Sequence, residues 1–245
     1  MDFDLTSLSQ DDRIKLYQIK MTEEMQVKET TLLQIQAYDY LIDSIKKGEL
    51  EPGHIYSLNQ MAKKMGLSKT PLRDAVLRLE QERYIDILPS KGFRLHTMTQ
   101  EDIVETYQIR NAIEAYCLRE LCHNMDTPGG KACVDKLQRK IDLQREIVEN
   151  TGSSEDFARR DYEFHRSMVQ FVGNATMLEM YRSFMYRIFW LNVTSFSKEG
   201  RMADTVTEHL HMMSMIRNQD IIGLEEQLDH HLNIAKHINL ELLSK

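Results

Sequence analysis

The stretch Leu58-Asn59-Gln60-Met61-Ala62-Lys63-Lys64-Met65-Gly66-Leu67-Ser68-Lys69-Thr70-Pro71-Leu72-Arg73-Asp74-Ala75-Val76 reads as two helices and the tight turn between them. Ser57 stands as an N-cap ahead of the first helix, and Gly66 ends it. Ser68 is placed to cap the second, and Pro71 falls in that helix's first turn, where a missing N–H costs little. Val76, Leu77 and Leu79 give the second helix a buried side. Ser68, Lys69 and Thr70 gather at its N-terminus, where hydroxyls, a cation and free backbone N–H groups can meet phosphate or base edges. Arg73 follows Lys69 by one turn on the same face, within reach of a guanine edge. A solvated basic helix has the same composition, so composition alone leaves both readings open.

The flanks decide more. Leu32, Ile35, Tyr38, Ile42 and Ile45 recur at helical spacing until Gly48 and the turn Glu51-Pro52-Gly53. After the second motif helix, Tyr84–Leu88 and Phe93–His96 read as strands around the turn Pro89-Ser90-Lys91-Gly92. Lys91 and Arg94 on that hairpin could follow the DNA backbone or minor groove. Helix, helix, turn, helix, hairpin is the order of a winged helix-turn-helix over residues 31–97. Residues 1–30 form an N-terminal extension without an assigned role. From residue 98 to 245 only helical patterns follow, with breaks near Thr127–Gly130, Asn150–Ser154, Gly173–Asn174 and Ser197–Gly200. The fold class is therefore mainly α, a winged reader with a small β-hairpin followed by an all-α bundle.

A net charge of −7 is unusual for a DNA binder until it is divided along the chain. Residues 31–98 carry ten Lys/Arg against eight Asp/Glu, so the acidic excess lies elsewhere. Contact with phosphate should accordingly be local. No apolar run is long enough for a membrane span, and Met1-Asp2-Phe3-Asp4 lacks the basic start of a signal peptide, which points to a cytoplasmic protein. Cys117, Cys122 and Cys133 show no C-x-x-C spacing and are expected as reduced, buried thiols.

In the helical part, polar residues interrupt apolar faces. Asp161 and His165 share a face with Phe157, Met168 and Val172. His209 lies with Met202, Val206, Met213 and Ile216, and His231 with Leu224, Leu228, Ala235 and Ile238. Four buried polar side chains need partners. One solution is convergence on a divalent metal, for which Asp and three His suit zinc, nickel or manganese. The other is four separately satisfied core residues. His211, His230 and His237 fall on more polar faces. Arg110 shares a face with Ile103, Tyr107 and Cys117, and either pairs within its helix with Glu114 or clamps a carboxylate ligand. Arg187, Trp190 and Asn192 are further residues that could line such a cavity.

The segment Leu41–Leu95 resembles the DNA-binding domain of the GntR superfamily. The resemblance rests on Leu50-Glu51-Pro52-Gly53, the core Gly66-Leu67-Ser68-Lys69-Thr70-Pro71-Leu72-Arg73 and the wing glycine Gly92. Three departures stand out: Lys69 replaces an arginine, Asn59 stands where some members have a phosphate-binding arginine, and Arg83 replaces a frequent glycine. Lys69 gives up a planar fork for a point charge, and with Asn59 it leaves DNA binding expected but the family's usual operator half-site open. Residues ~99–240 resemble the FCD effector domain of the FadR branch. Asp161 and His165 match its D-x-x-x-H signature, Glu208-His209 and His231 match its later histidines, and Arg110 and Glu114 match its R-x-x-x-E. The resemblance implies a metal on Asp161, His165, His209 and His231, and a small carboxylate effector received by Arg110. It also implies a homodimer on a double-stranded DNA operator, and no enzymatic activity. The rival readings are a metal-dependent hydrolase carrying a DNA-binding domain, and an architectural DNA binder without an effector.

Overall fold

A computed structural model describes residues 30–45 and 47–244. The extension expected over residues 1–30 lies, but for its last residue, outside the described residues. The chain divides between Thr97 and Met98 into two compact units.

In the first unit, α1 (30–45) turns Ala37, Leu41, Ile42 and Ile45 into the core. Leu32 and Ile35, expected on the buried stripe, are exposed at 66% and 49%. The C-terminal half of the expected stripe, Ile42 and Ile45, is buried, and Ala37 and Leu41 join it there. α2 (Leu58–Met65) ends at Gly66, whose φ of 66° is the left-handed cap. α3 (Lys69–Gln81) buries Pro71, Leu72, Ala75, Val76 and Leu79. Leu77, also expected inside, is 41% exposed, because the buried arc is centred on Leu72, Val76 and Leu79. Ser57 and Ser68 occupy the N-cap positions, yet neither side chain makes the capping hydrogen bond.

Strands β1 (Ile85–Leu88) and β2 (Gly92–Leu95) pair antiparallel, Ile85 opposite Leu95 and Leu88 opposite Gly92. β1 is one residue shorter than expected, Tyr84 preceding it, and β2 keeps the expected length but starts one residue earlier, at Gly92, with His96 following it. A bridge joins Tyr56 to Phe93, with Tyr56 N donating to Phe93 O at 2.7 Å and Phe93 N to Tyr56 O at 3.0 Å. A side chain at Gly92 would collide with the carbonyl of Tyr56, and its φ of 132° disfavours any L residue. Arg83, φ 57°, takes the left-handed conformation just before β1, which explains why glycine is frequent there in the family it resembles.

The second unit is helical throughout: α4 (Gln100–His123), α5 (Pro128–Glu149), α6 (Ser154–Val172), α7 (Ala175–Ser183), α8 (Met185–Phe196), α9 (Arg201–Asn218) and α10 (Ile221–Leu243). α4 opens with a capping box in which Thr99 and Asp102 satisfy each other's backbone N–H. The four breaks marked in the sequence are present, and two further ones fall at Phe184 and at Gln219–Asp220, with neither Gly nor Pro to signal them. The core gathers the inner faces of these helices, including Leu118, Leu137, Phe157, Phe164, Met168, Ile188, Met212 and Leu228. Cys117, Cys122 and Cys133 are free and buried, with burial raising each thiol pKa to about 11 or 12. Among the described residues no helix is long and apolar enough to cross a membrane.

Candidate metal centre and DNA-reading face

On the first unit, Ser68, Lys69, Thr70 and Arg73 all lie exposed on the first two turns of α3. With Ser68 not engaged in capping, its hydroxyl and the first-turn N–H groups face outward together. Lys91 is exposed in the hairpin turn, held there by Lys91 N donating to Leu88 O. Arg94 is less free: its Nε donates to Asp86 Oδ2 at 3.2 Å, and His96 Nδ1 lies 2.6 Å from the other oxygen of Asp86. Gly92 serves this face by letting the wing approach Tyr56.

In the second unit, α6, α9 and α10 bring Asp161, His165, His209 and His231 together, all buried, with one donor atom from each lying within 4.8 Å of the others. Asp161 Oδ1 stands 3.7 Å from His165 Nε2 and 3.5 Å from His209 Nε2. Those three atoms have no hydrogen-bond partner despite complete burial. An unsatisfied carboxylate oxygen and two unsatisfied ring nitrogens aimed at one point form an arrangement that a cation relieves.

The far side of each ring is occupied. His209 Nδ1 meets Gln144 Oε1 at 2.9 Å, and His231 Nδ1 meets Glu208 Oε2 at 2.6 Å. His165 Nδ1 lies 2.7 Å from Glu114 Oε2, at ion-pair distance rather than as an aligned hydrogen bond. An acceptor at Nδ1 keeps the proton there and leaves the Nε2 lone pair for a metal. Burial, first, and then the neighbouring charges hold His209 well below its ordinary pKa; burial likewise lowers His231, against the pull of Glu208. Both rings are thus neutral, the state a ligand needs.

Two arginines steady the carboxylates behind the rings. Arg201 donates twice to Glu208, at 2.6 and 2.9 Å. Burial alone would raise the Glu208 pKa, but hydrogen bonds from His231 and Arg201 outweigh it and bring it to about 2. Arg110 Nε donates to Glu114 Oε1 at 2.8 Å, and Tyr181 donates to the same oxygen at 2.8 Å. Burial opposes the Glu114 charge too, yet Arg110 and His165 hold it far below the carboxylate range. The pair expected within α4 therefore exists, and Arg110 still keeps Nη2 buried without a partner. Asn192 donates to Asp161 and accepts from Arg110, whereas Trp190 is 39% exposed. Arg187 turns to Asp102 and Glu105, at 3.9 Å from each.

Sequence reasoning passed over Gln144, Arg201 and Tyr181, and set Glu208 aside for its neighbour. Gln144 continues the stripe Leu137, Ile141 of α5, the same polar interruption that flags the histidines. Arg201 precedes Glu208 by seven residues, two turns along one face of α9.

Residues 105–234 match the FCD domain, and residues 33–95 match the bacterial regulatory proteins of the gntR family. The chain is a GntR-family transcriptional regulator with an FCD domain. Among relatives of this regulator, the HTH-type transcriptional regulator YdhC of Bacillus subtilis is 20% identical over 86% of this chain and 92% of its own. A D-xylose utilization operon transcriptional repressor of Paenarthrobacter nicotinovorans is 23% identical over 82% and 86%. Escherichia coli McbR/YncC shares the fold with a TM-score of 0.68 at 18% identity, covering 86% of this chain and 98% of its own. These relatives are named as regulators, not enzymes, and the hydrolase reading falls with that. The chain is a DNA-binding regulator, and the gntR match lies within its first unit.

Proposed function

We propose that this regulator is ligand-responsive, with a divalent metal and a small carboxylate effector in its helical domain setting operator affinity. Asp161, His165, His209 and His231 hold the ion, zinc, nickel or manganese by the softness of three imidazoles and one carboxylate. The observation that carries this reading is the pair of unsatisfied Nε2 atoms facing the unsatisfied Asp161 Oδ1, with an acceptor behind each ring. When bound, the ion supplies an electrophilic anchor for one effector oxygen. Arg110 Nη2, buried and unpaired, supplies a guanidinium donor for the carboxylate.

At the DNA, Ser68, Thr70 and Lys69 fix the α3 N-terminus on phosphate, Arg73 reads a base edge, and Lys91, Gly92 and Arg94 form the wing contact. The protein acts in the cytoplasm as a homodimer, its two readers docking on half-sites about one helical turn apart. An effector switches the operator only through unequal affinity for two placements of the readers.

Metal analysis of the purified full-length protein, combined with operator titration by fluorescence anisotropy, tests this reading. About one ion per chain is expected, lost in His209→Ala, together with an operator affinity that shifts about 5–150-fold on adding the right small acid. A carboxylate that binds tightly while operator affinity stays constant refutes the coupling.

A further inference from the structure

Asn192, on α8, stands between the two halves of the site and is 2% exposed. Its Nδ2 donates to Asp161 Oδ2 at 2.6 Å, and its Oδ1 accepts from Arg110 Nη1 at 3.4 Å. Its neighbours dictate this orientation, since a carboxylate only accepts and a guanidinium only donates. Among side chains of this branched shape, only asparagine serves both. Aspartate would set two carboxylates against each other, and leucine would leave both partners unsatisfied.

We propose that Asn192 is a positioning residue that commits Asp161 to one-oxygen ligation and ties that ligand to Arg110. The inference rests on the metal reading above. Asp161 Oδ2 is engaged by the amide, while Oδ1 faces His165 and His209. The carboxylate therefore offers a single oxygen, and the protein contributes four donor atoms rather than five. Coordination positions stay open for an oxygen from outside the protein. Arg110 reaches two of the four ligands, since its Nε holds Glu114 beside His165 and its Nη1 holds Asn192 on Asp161. A displacement of the guanidinium by an anion is transmitted to the ligand set along both routes.

The test uses full-length protein, stripped with a chelator and reloaded with Zn²⁺ or Co²⁺. Asn192→Leu keeps the branched shape without hydrogen bonds, and Asn192→Ala serves if the larger residue prevents folding. Ile188→Val, in the core of the same helix, controls for packing. Both Asn192 variants are expected to lose about 10–100-fold in zinc affinity by chelator competition. Their Co²⁺ visible bands should weaken as Asp161 gains a second ligating oxygen, whereas Ile188→Val changes only the melting temperature. Co²⁺ spectra and zinc affinities identical to wild type in the Asn192 variants overturn the proposal. A wild-type protein that takes up no Co²⁺ overturns the metal reading itself, a result distinct from a loaded site indifferent to Asn192.

Discussion

Replacing Glu208 by glutamine keeps the shape and removes one buried charge. Arg201 then faces one amide oxygen instead of two carboxylate oxygens, and the amide N–H₂ must point at Arg201 or at the His231 ring. Either way a donor meets a donor. The depression of the Glu208 pKa from 4.5 to about 2 corresponds to about 3 kcal/mol of favourable interaction in the folded state. Breaking a buried ion pair by removing one partner costs about 3–5 kcal/mol, so the two routes agree. For a chain of this size that predicts a fall in melting temperature of about 6–12 °C. The assay is built into the protein: Trp190 is the sole tryptophan and lies on α8, so tryptophan emission, excited selectively over the tyrosines, follows the helical unit. Measured metal-free at pH 7, the full difference should appear. Because the folded pKa is depressed, this stabilisation is complete above about pH 4.5 and is lost as pH falls toward 2. Wild type and variant should therefore converge in acid. Zinc affinity should fall about 10–100-fold as His231 loses its acceptor. A variant melting within about 2 °C of wild type at pH 7, with zinc affinity unchanged, would show that Glu208 neither holds Arg201 nor orients His231.

Three further outcomes follow from the same geometry. Gly92→Ala forces a methyl onto the Tyr56 carbonyl and breaks two bridge hydrogen bonds; at about 1 kcal/mol each plus about 1–2 for the backbone, the wing loosens. Hydrogen exchange at Phe93 should accelerate while the Trp190 melt stays fixed. Arg73→Ala should cost about 1–3 kcal/mol in operator binding and relax base preference at one position, whereas Lys69→Ala should weaken all sequences alike and lower the salt slope by about 1; identical effects of the two substitutions would contradict their separate roles. With metal stripped, His209 and His231 are held neutral by burial while the unfolded chain takes up protons below about pH 6.5. Stability of the metal-free helical unit should accordingly decline as pH drops from 6.5, a trend that bound zinc should suppress.

The first unit was legible in the sequence because its signals are local: Gly66 at a left-handed cap, Pro71 in a first turn, Gly92 at a close approach. The four grouped donors were legible too, since each interrupts an apolar stripe at helical spacing. What supports them was not. Gln144 is separated from His209 by 65 residues, and Asn192 from Asp161 by 31, so only packing discloses their contacts. The break at Phe184 carries no turn residue, its φ and ψ being helical, so nothing local in the sequence marks it. Leu32, Ile35 and Leu77 erred in the other direction. Large apolar residues were assigned inward by type, while Ala37 and Ala75, with less side chain, occupy the interior.

The left-handed Arg83 bears on how freely the wing's foot can vary. Holding a non-glycine residue there costs about 1–2 kcal/mol in the folded chain. Glycine would remove that strain, yet it also enlarges the conformational freedom of the unfolded chain, a penalty of about 0.5–1 kcal/mol. The second term offsets only part of the first, so arginine at this position is left with a net cost of up to about 1.5 kcal/mol relative to glycine. The foot of the hairpin is therefore a place where substitution to glycine should stabilise the first unit modestly, the reverse of what glycine does inside a helix or strand.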